Sequence, residues 1–218
     1  IMQPTYLPWL GYFALMDMAD VFVFLDDVQL LTRSFHVRNR IKRQDGEELM
    51  LSISIRSLGR DERLIKDVEI AEGANWEAKH LKSFEHSYKK APHFADAMAI
   101  FEPALRTHGP NLCDFTIGLI ETVAERIGLG GKRRFRSSEI ADKRPDKRDR
   151  LIDICSHAGA DLYLSARGSA DYLGEDEGPE QFRERGIDLM FQTYEHPVYP
   201  QINGPFRSHL CVLDLIAN

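Results

Sequence analysis

Gln3-Pro4-Thr5-Tyr6-Leu7-Pro8-Trp9-Leu10-Gly11-Tyr12-Phe13 leads into Val21-Phe22-Val23-Phe24-Leu25-Asp26-Asp27-Val28-Gln29, and together they read as strand end, turn, helix and strand. Pro8 disfavours the helical region for the residue before it, so Tyr6 and Leu7 are expected to be extended. Pro8 itself suits a first helical position. Trp9, Tyr12, Phe13, Met16 and Ala19 recur at helical spacing, whereas Val21 to Leu25 is a β-branched and aromatic run closed by two carboxylates. A βαβ unit with Gln, Thr, Tyr and Trp at its first turn is a place for a ligand, because open α/β sheets bind ligands outside the carboxyl ends of their strands. The plainer alternative is a hydrophobic helix packed on a sheet with aromatic filling.

Downstream, Arg33 to Arg43 is basic with apolar residues at Phe35, Val37 and Ile41, as expected of a strand showing cations on one face. Gln44-Asp45-Gly46-Glu47 marks a turn. Leu49, Leu51, Ile53 and Ile55 then alternate with Met50, Ser52 and Ser54 as in a half-buried strand. The two predict a hairpin, with Leu64 to Ile70 as a further short strand. From Asn75 to Gly128 the apolar period becomes helical, Asn75 capping a first helix that carries Trp76, Leu81, Phe84 and Tyr88. The α/β alternation then resumes. Arg133 to Arg136 delivers Ser137 and Ser138 to a strand end, and Asp146 caps a helix closed by Gly159. Asp161 to Leu164 is a strand ending at Ser165-Ala166-Arg167, and Ile187, Leu189, Phe191 and Thr193 alternate toward His196-Pro197-Val198-Tyr199-Pro200-Gln201. The expected fold is a single α/β domain over 1–218, with a Rossmann-like, mostly parallel sheet, an antiparallel hairpin edge and a helical insertion over 75–128.

The 218 residues suffice for a sizeable core. A formal charge of −6 argues against a nucleic-acid partner, while local cation clusters suit a small anion. Cys113, Cys155 and Cys211 lack motif spacing and lie in apolar helical patterns, as small core residues of a reducing compartment do. No apolar run approaches the ~20 residues of a membrane span and no signal peptide precedes the first strand, which points to the cytoplasm. The chain opens inside an apparent strand and closes inside an apparent helix.

If the strands are parallel, four strand ends gather polar groups on one sheet edge: Gln3 with Tyr6, Asp26 with Gln29, Ser137 with Ser138, and Ser165 with Arg167. Asp26 is expected to act as a general base or to close a turn; its neighbour Asp27 points to the opposite face and forms no dyad with it. Arg38, Arg40 and Lys42 share a strand face at spacing two, suited either to phosphate or to solvent. Lys147, at the start of the helix after Ser138, is a further phosphate ligand. Pro197 and Pro200 fix an extended backbone that displays His196, Tyr199 and Gln201. A histidine there, with an ordinary pKa near ~6.5, suits acid–base work; a hydrogen-bonded structural turn is the alternative. The six histidines His80, His86, His93, His108, His157 and His209 lack ligand spacing and are read as surface or core residues, so no metal is expected. CxxC, HExxH, GxSxG, Walker-type and dinucleotide patterns do not occur.

At Gln3 to Phe13, Ala19 to Gln29, Arg38-Asn39-Arg40-Ile41, Ser137-Ser138, Lys147 with Arg150-Leu151-Ile152, Tyr163-Leu164-Ser165, His196 to Gln201 and Leu213-Asp214-Leu215, the chain resembles the WbqC-like bacterial family over essentially its whole length. The resemblance implies a cytoplasmic role in assembling surface polysaccharide, including O-antigen and amino sugars. Trp9-Leu10-Gly11-Tyr12 is also similar to the first βα turn of the HxGH nucleotidyltransferase superfamily that includes pantothenate synthetase. The glycine is kept and both histidines are aromatics here, so the fold is implied and the triphosphate chemistry is not.

The expected function is an enzyme that moves an acyl or aminoacyl group onto the amine of a nucleotide-linked amino sugar. In this scheme Arg38, Arg40 and Lys147 hold the diphosphate, and Trp9 or Tyr12 stacks on the base or sugar. Gln3, Asn39 and Gln201 orient polar groups, and His196 takes the amine proton, with Asp26 as a second catalytic candidate. Tyr6, Gln29, Ser137, Ser138, Ser165, Arg167 and Tyr199 complete the substrate-binding set. No cofactor is required, and an acyl carrier protein is a candidate partner. Two readings stay open beside it: an adenylate-forming ligase or nucleotidyltransferase using ATP with magnesium, and a non-catalytic sugar-nucleotide or partner-binding protein.

Overall fold

The computed structural model describes residues 1–31, 34–56, 63–173 and 178–218; Arg33, at the head of the basic stretch, lies outside them. The chain forms two compact units, Ile1–Gln3 with Ala14–Asp26 and Lys132–Glu195, and Pro4–Phe13 with Asp27–Gly131 and His196–Asn218.

In the first unit, β1 (Val21–Phe24) pairs in parallel with β4 (Arg133–Arg136), Val21 opposite Arg133. β5 (Leu162–Ser165) pairs in parallel with β6 (Asp188–Phe191), Leu162 opposite Asp188. Met2 adds one parallel bridge to Phe24. α5 (Lys147–Ala158) links β4 to β5, and its start is fixed as its sequence suggests: the Asp146 carboxylate accepts the Arg148 and Asp149 N–H groups. Gly159, at φ 72°, closes it in the left-handed conformation. Leu151, Ile152 and Cys155 of α5 pack with Tyr163, Phe182 and Ile187, and Ile154 packs with Val23 and Ile140. Two short helices, α6 (Ala170–Leu173) and α7 (Gly178–Arg183), precede β6.

The second unit holds the antiparallel hairpin of β2 (Arg38–Lys42) and β3 (Glu48–Ser52), with helices α2 (Trp76–Tyr88), α3 (Phe94–Arg106), α4 (Leu112–Arg126) and α8 (Val212–Ala217). α1 (Leu10–Met18) contributes residues to both units. The helices between 75 and 128 fall where the apolar period puts them. Trp76, His80, Phe84 and Tyr88 form one buried row on α2, and Ala97, Phe101 and Leu105 one on α3.

The mixture of helices with parallel and antiparallel strands makes this an α/β protein. Five local expectations are corrected. Among the described residues the strands form three separate two-stranded sheets, two parallel and one antiparallel, so there is no single Rossmann-like, mostly parallel sheet and the hairpin is not the edge of one. The physical reason lies in the outer edge of β2: the Tyr88 hydroxyl accepts the Lys42 N–H at 2.8 Å, and the Cys211 N–H donates to the Arg40 carbonyl at 3.0 Å, so that edge needs no third strand. Leu64 to Ile70 is not a strand but a 3₁₀ turn at Ile65–Asp67 flanked by isolated bridges. Asn75 precedes α2 in the left-handed conformation and its side chain makes no capping bond. Leu7 is not extended: its φ is 46°. The helix starts at Leu10 rather than Pro8, because the Pro8 carbonyl accepts the Val212 N–H at 2.9 Å and Trp9 bridges Cys211 as an antiparallel pair.

Candidate functional site

Of the strand-end residues, Asp26 meets Ser137 and Ser138 in the first unit, Ser165 and Arg167 follow a strand of a separate sheet, and Tyr6 and Gln29 belong to the second unit. Asp26 is fully buried just beyond β1. Its Oδ1 accepts the Ser137 hydroxyl at 3.1 Å and the Ser138 N–H at 2.9 Å, and its Oδ2 accepts the Ser138 hydroxyl at 2.7 Å. Three donors from the turn after β4 therefore occupy the carboxylate. Lys143 adds its ammonium to the Ser137 and Ile140 carbonyls. Asp26 is built to hold this turn, the plainer of its two expected roles. Ser165 is buried at the end of β5, its hydroxyl 2.9 Å from that of Ser169. Arg167 opens an exposed 3₁₀ turn. Lys147 is exposed on the first turn of α5, whose free N–H groups at Arg148 and Asp149 are already bonded to Asp146. Gln3 is half-buried in this unit.

The remaining candidates belong to the second unit, and several prove to be scaffolding. Tyr6 is fully buried, its hydroxyl 2.9 Å from His80 Nδ1 and its ring against Trp76, His80 and Phe115. Tyr12 is buried beside Phe13. The Asn39 carboxamide donates to the Tyr6 and Leu7 carbonyls at 3.1 and 2.6 Å and accepts the Arg40 N–H at 2.8 Å, which clamps the backbone where Leu7 departs from ordinary geometry. Arg38 is half-buried opposite Ser52, and Gln29 is exposed, bridged to Leu64. The shared face of Arg38, Arg40 and Lys42 is not a solvated basic strip. Arg40 pairs with Glu48 at 3.0 Å and reaches the His209 carbonyl at 3.5 Å. Lys42 is fully buried and donates to Gln201 Oε1, the Gly204 carbonyl and the Pro205 carbonyl at 3.2, 3.1 and 2.7 Å.

Those carbonyls belong to a strap, residues 196–209, laid along the hairpin. Its anchor is Asp214 of α8, fully buried, with Oδ1 accepting Tyr199 Oη–H at 2.8 Å and Gln201 Nε2–H at 2.7 Å, and Oδ2 accepting Tyr88 Oη–H at 2.7 Å. Gln201 also donates to the Arg207 carbonyl and accepts the Arg207 N–H and Lys42, so its carboxamide is fully engaged within the strap. Burial pushes the Asp214 carboxyl up from the ordinary range, opposed by Tyr88, Tyr199 and Lys42. Burial also lowers Lys42, opposed by Asp214.

The strap carries His196 into a stack of rings. His196 lies 4.6 Å from His209 at an interplanar angle of 24°, and His209 lies 4.9 Å from the Trp9 indole. Phe206 and Tyr199 flank His196 at 5.9 and 6.2 Å. The His209 N–H donates to His196 Nε2 at 3.4 Å. Desolvation, then the neighbouring His209, pulls the His196 pKa below its ordinary value, so this half-buried imidazole is neutral at neutral pH. Trp9 is pinned against Gly11, where an added Cβ would stand 2.2 Å from the indole. Of the four described non-glycine residues with positive φ, three lie here: Leu7 at 46°, Asn203 at 67° and His209 at 59°. Backbone strain of this kind, about 1–3 kcal/mol each, concentrates at functional sites.

The profile of the WbqC-like protein family matches residues 3–218. The chain belongs to that family. It is 30% identical over 223 residues to the uncharacterised protein Rv1507c of Mycobacterium tuberculosis, an alignment covering 100% of this chain and 92% of the other. No solved structure matches.

In this WbqC-like chain His196, Tyr199 and Trp9 stand in one cluster of rings. Lys42, singled out in the sequence for its place on the cation face of β2, meets the strap instead, and Tyr88, His209 and Asp214 join the cluster without having been singled out as candidates. The signal for Asp214 was a lone carboxylate in the apolar run Val212-Leu213-Asp214-Leu215-Ile216, a position where an unpaired charge would be expelled. The signal for Lys42 was its phase with Arg40 on β2, which says nothing of what covers it. Among the described residues, no three histidine, cysteine, aspartate or glutamate side chains are grouped to hold a metal ion. Among the described residues, no helix is long and apolar enough to cross a membrane.

Proposed function

We propose that the protein is a transferase of bacterial surface-polysaccharide assembly, acting in the cytoplasm, that moves an acyl or aminoacyl group onto the amine of a nucleotide-linked amino sugar. The observation that carries this reading is the half-buried His196 imidazole, kept below its ordinary pKa by desolvation and by His209 and held in a strained, aromatic-walled site. A neutral imidazole is the base that amine acylation needs: the attacking amine gives it a proton as the C–N bond of the new amide forms, the bond between the acyl group and its donor breaks, and the departing donor group takes that proton. Family membership supports the pathway. The parallel pairs β1–β4 and β5–β6 and the connecting α5 support an α/β setting with polar residues after its strands.

A thermal-shift screen of sugar nucleotides, acyl donors and ATP with or without magnesium tests the substrate class. A ligand at 100 times its dissociation constant raises stability by about 2.7 kcal/mol. Stabilisation by a sugar nucleotide is the expected result, and stabilisation by ATP with magnesium alone would replace the transferase with an adenylate-forming enzyme. With the substrate in hand, His196→Ala is expected to lower turnover by about 10²–10⁴-fold with little loss of affinity. Unchanged turnover removes His196 from the mechanism.

A further inference from the structure

We infer that Asp214 is the positioning residue of this site: through Tyr199 and Gln201 it fixes the strap that presents His196, while Tyr88 fixes Asp214 to the helical core and Lys42 ties the same strap to the hairpin. The inference rests on His196 being the proton acceptor, and it adds a residue that touches none of the reacting groups.

The geometry distinguishes this from a carboxylate that merely fills space. Both oxygens of Asp214 are used, and the donors come from two separate parts of the chain: Tyr88 from α2, and Tyr199 with Gln201 from the strap. Tyr199 is the direct link to the imidazole. Its hydroxyl ends on Asp214, and its ring stands 6.2 Å from His196 and 5.3 Å, edge on, from Phe206, which itself lies 5.9 Å from His196. Gln201 is the second link, and it ties Asp214 to Arg207, two residues before His209. His209 is the other wall of the imidazole, so both sides of His196 trace back to one carboxylate. Tyr88 has a different task. It bonds Asp214 and the Lys42 N–H and reaches neither ring of the stack.

A neutral carboxamide replaces this acceptor only in part. In Asp214→Asn one oxygen remains for the two strap donors, while an N–H faces the Tyr88 hydroxyl, which must turn away the hydrogen it now gives to the carboxylate. The strap then loosens around His196, water reaches the imidazole, and the desolvation that holds its titration low is relieved.

The test is the titration of the His196 ring followed by NMR in the intact protein, without substrate. It compares the wild type with Asp214→Asn, Tyr199→Phe and Tyr88→Phe, each with a thermal melt. His196 is assigned from the signals lost in His196→Ala. The groups facing the imidazole are His209, Tyr199, Phe206 and Trp9, so His209 is followed in the same spectra. In Asp214→Asn and Tyr199→Phe the His196 midpoint is expected to rise toward ~6.5. In Tyr88→Phe the melting temperature is expected to fall while the His196 midpoint stays at the wild-type value. A folded Asp214→Asn that titrates as the wild type overturns the inference. So does a Tyr88→Phe shift equal to that of Tyr199→Phe, which would make the network a common support. If Asp214→Asn does not fold, Tyr199→Phe decides alone. Because no substrate is present, absence of transfer activity leaves the titration result intact, and an unmoved titration overturns the positioning role even where transfer is observed.

Discussion

Asp26 and Asp214 are both fully buried carboxylates, and each accepts three hydrogen bonds, yet they do different things. Asp26 takes all three from Ser137 and Ser138, adjacent residues of one turn, one bond being to a backbone N–H. Asp214 takes its three from side chains separated by more than a hundred residues of sequence, Tyr88 at one end and Tyr199 with Gln201 at the other. The first closes a turn at a strand end. The second joins a helical core to an irregular strap. A count of hydrogen bonds does not separate them; the span of chain that the bonds connect does.

Replacing each carboxylate by Ala breaks the comparison or sharpens it. Asp214→Ala strands two tyrosine hydroxyls and a carboxamide N–H and removes the negative charge that offsets the buried Lys42, whose own donors stay on Gln201, Gly204 and Pro205. It is expected to cost about 3–5 kcal/mol, the range for removing one partner of a buried charged network. Asp26→Ala leaves two serine hydroxyls that can rotate toward other acceptors and one N–H, with an expected cost of about 1–3 kcal/mol. Urea unfolding of the two variants measures both. Equal losses would mean that the length of chain tied by a carboxylate does not matter here. Hydrogen exchange adds the location: in Asp214→Ala protection is expected to drop through 196–209, and in Asp26→Ala only around 137–140.

Acid sharpens the contrast, because the second unit also buries histidines in their neutral form. His80 is nearly inaccessible, with Nδ1 at the Tyr6 hydroxyl, and burial lowers its pKa to about 4. In the unfolded chain it titrates near ~6.5, so below that pH the unfolded state binds the proton and the folded state does not. The folded state therefore loses stability as pH falls from ~6.5 to about 4. The loss expected from His80 alone is about 2 kcal/mol at pH 5. His36 is buried with Ser34 and is likewise lowered to about 4, and it acts in the same direction. Asp214 has the opposite sign: its folded pKa is raised, so its burial is least unfavourable at low pH. Urea midpoints at pH 7 and pH 5, for wild type and His80→Gln, separate these contributions. The variant is expected to lose about 2 kcal/mol less than the wild type between the two pH values. An unchanged difference would show that His80 gains its proton without unfolding.

The sequence was informative where a local rule acts alone. Asp146 and Gly159 bracket α5, Arg133 to Arg136 is a strand, and Pro197 and Pro200 keep 196–201 out of regular structure so that His196 and Tyr199 are displayed. It misled where distant segments decide. Leu7 lies just before a proline, yet Asn39, thirty-two residues on, holds it at positive φ. Lys42 continues the phase of Arg38 and Arg40, yet the strap covers it. His209 has no ligand spacing, and only the fold brings its ring against that of His196. Asp214 sits in an apolar helical pattern, and nothing within that pattern names Tyr88 or Tyr199 as the groups that permit it to be buried.

Lys147 gives the smallest effect and the most direct check on how much a strand-end position means. By position it is the first residue of α5, just after the Ser137–Ser138 turn, where helix N–H groups and a cation would together favour a phosphate. The local chemistry is already satisfied: Asp146 supplies the anion, accepting the Arg148 N–H at 2.9 Å and the Asp149 N–H at 3.2 Å, and Lys147 itself is exposed. A phosphate arriving there would meet a carboxylate on the donors it needs. Lys147→Ala is therefore expected to change stability by no more than about 0.5 kcal/mol, as for a surface substitution, and to leave sugar-nucleotide affinity within about twofold. Asp146→Ala, by contrast, is expected to destabilise by about 1 kcal/mol through loss of the cap. Calorimetric titration of the two variants decides between the readings. A tenfold loss of affinity in Lys147→Ala would mean that ligand binding displaces the Asp146 cap, and Lys147 would then take the phosphate role that the covered Lys42 does not fill.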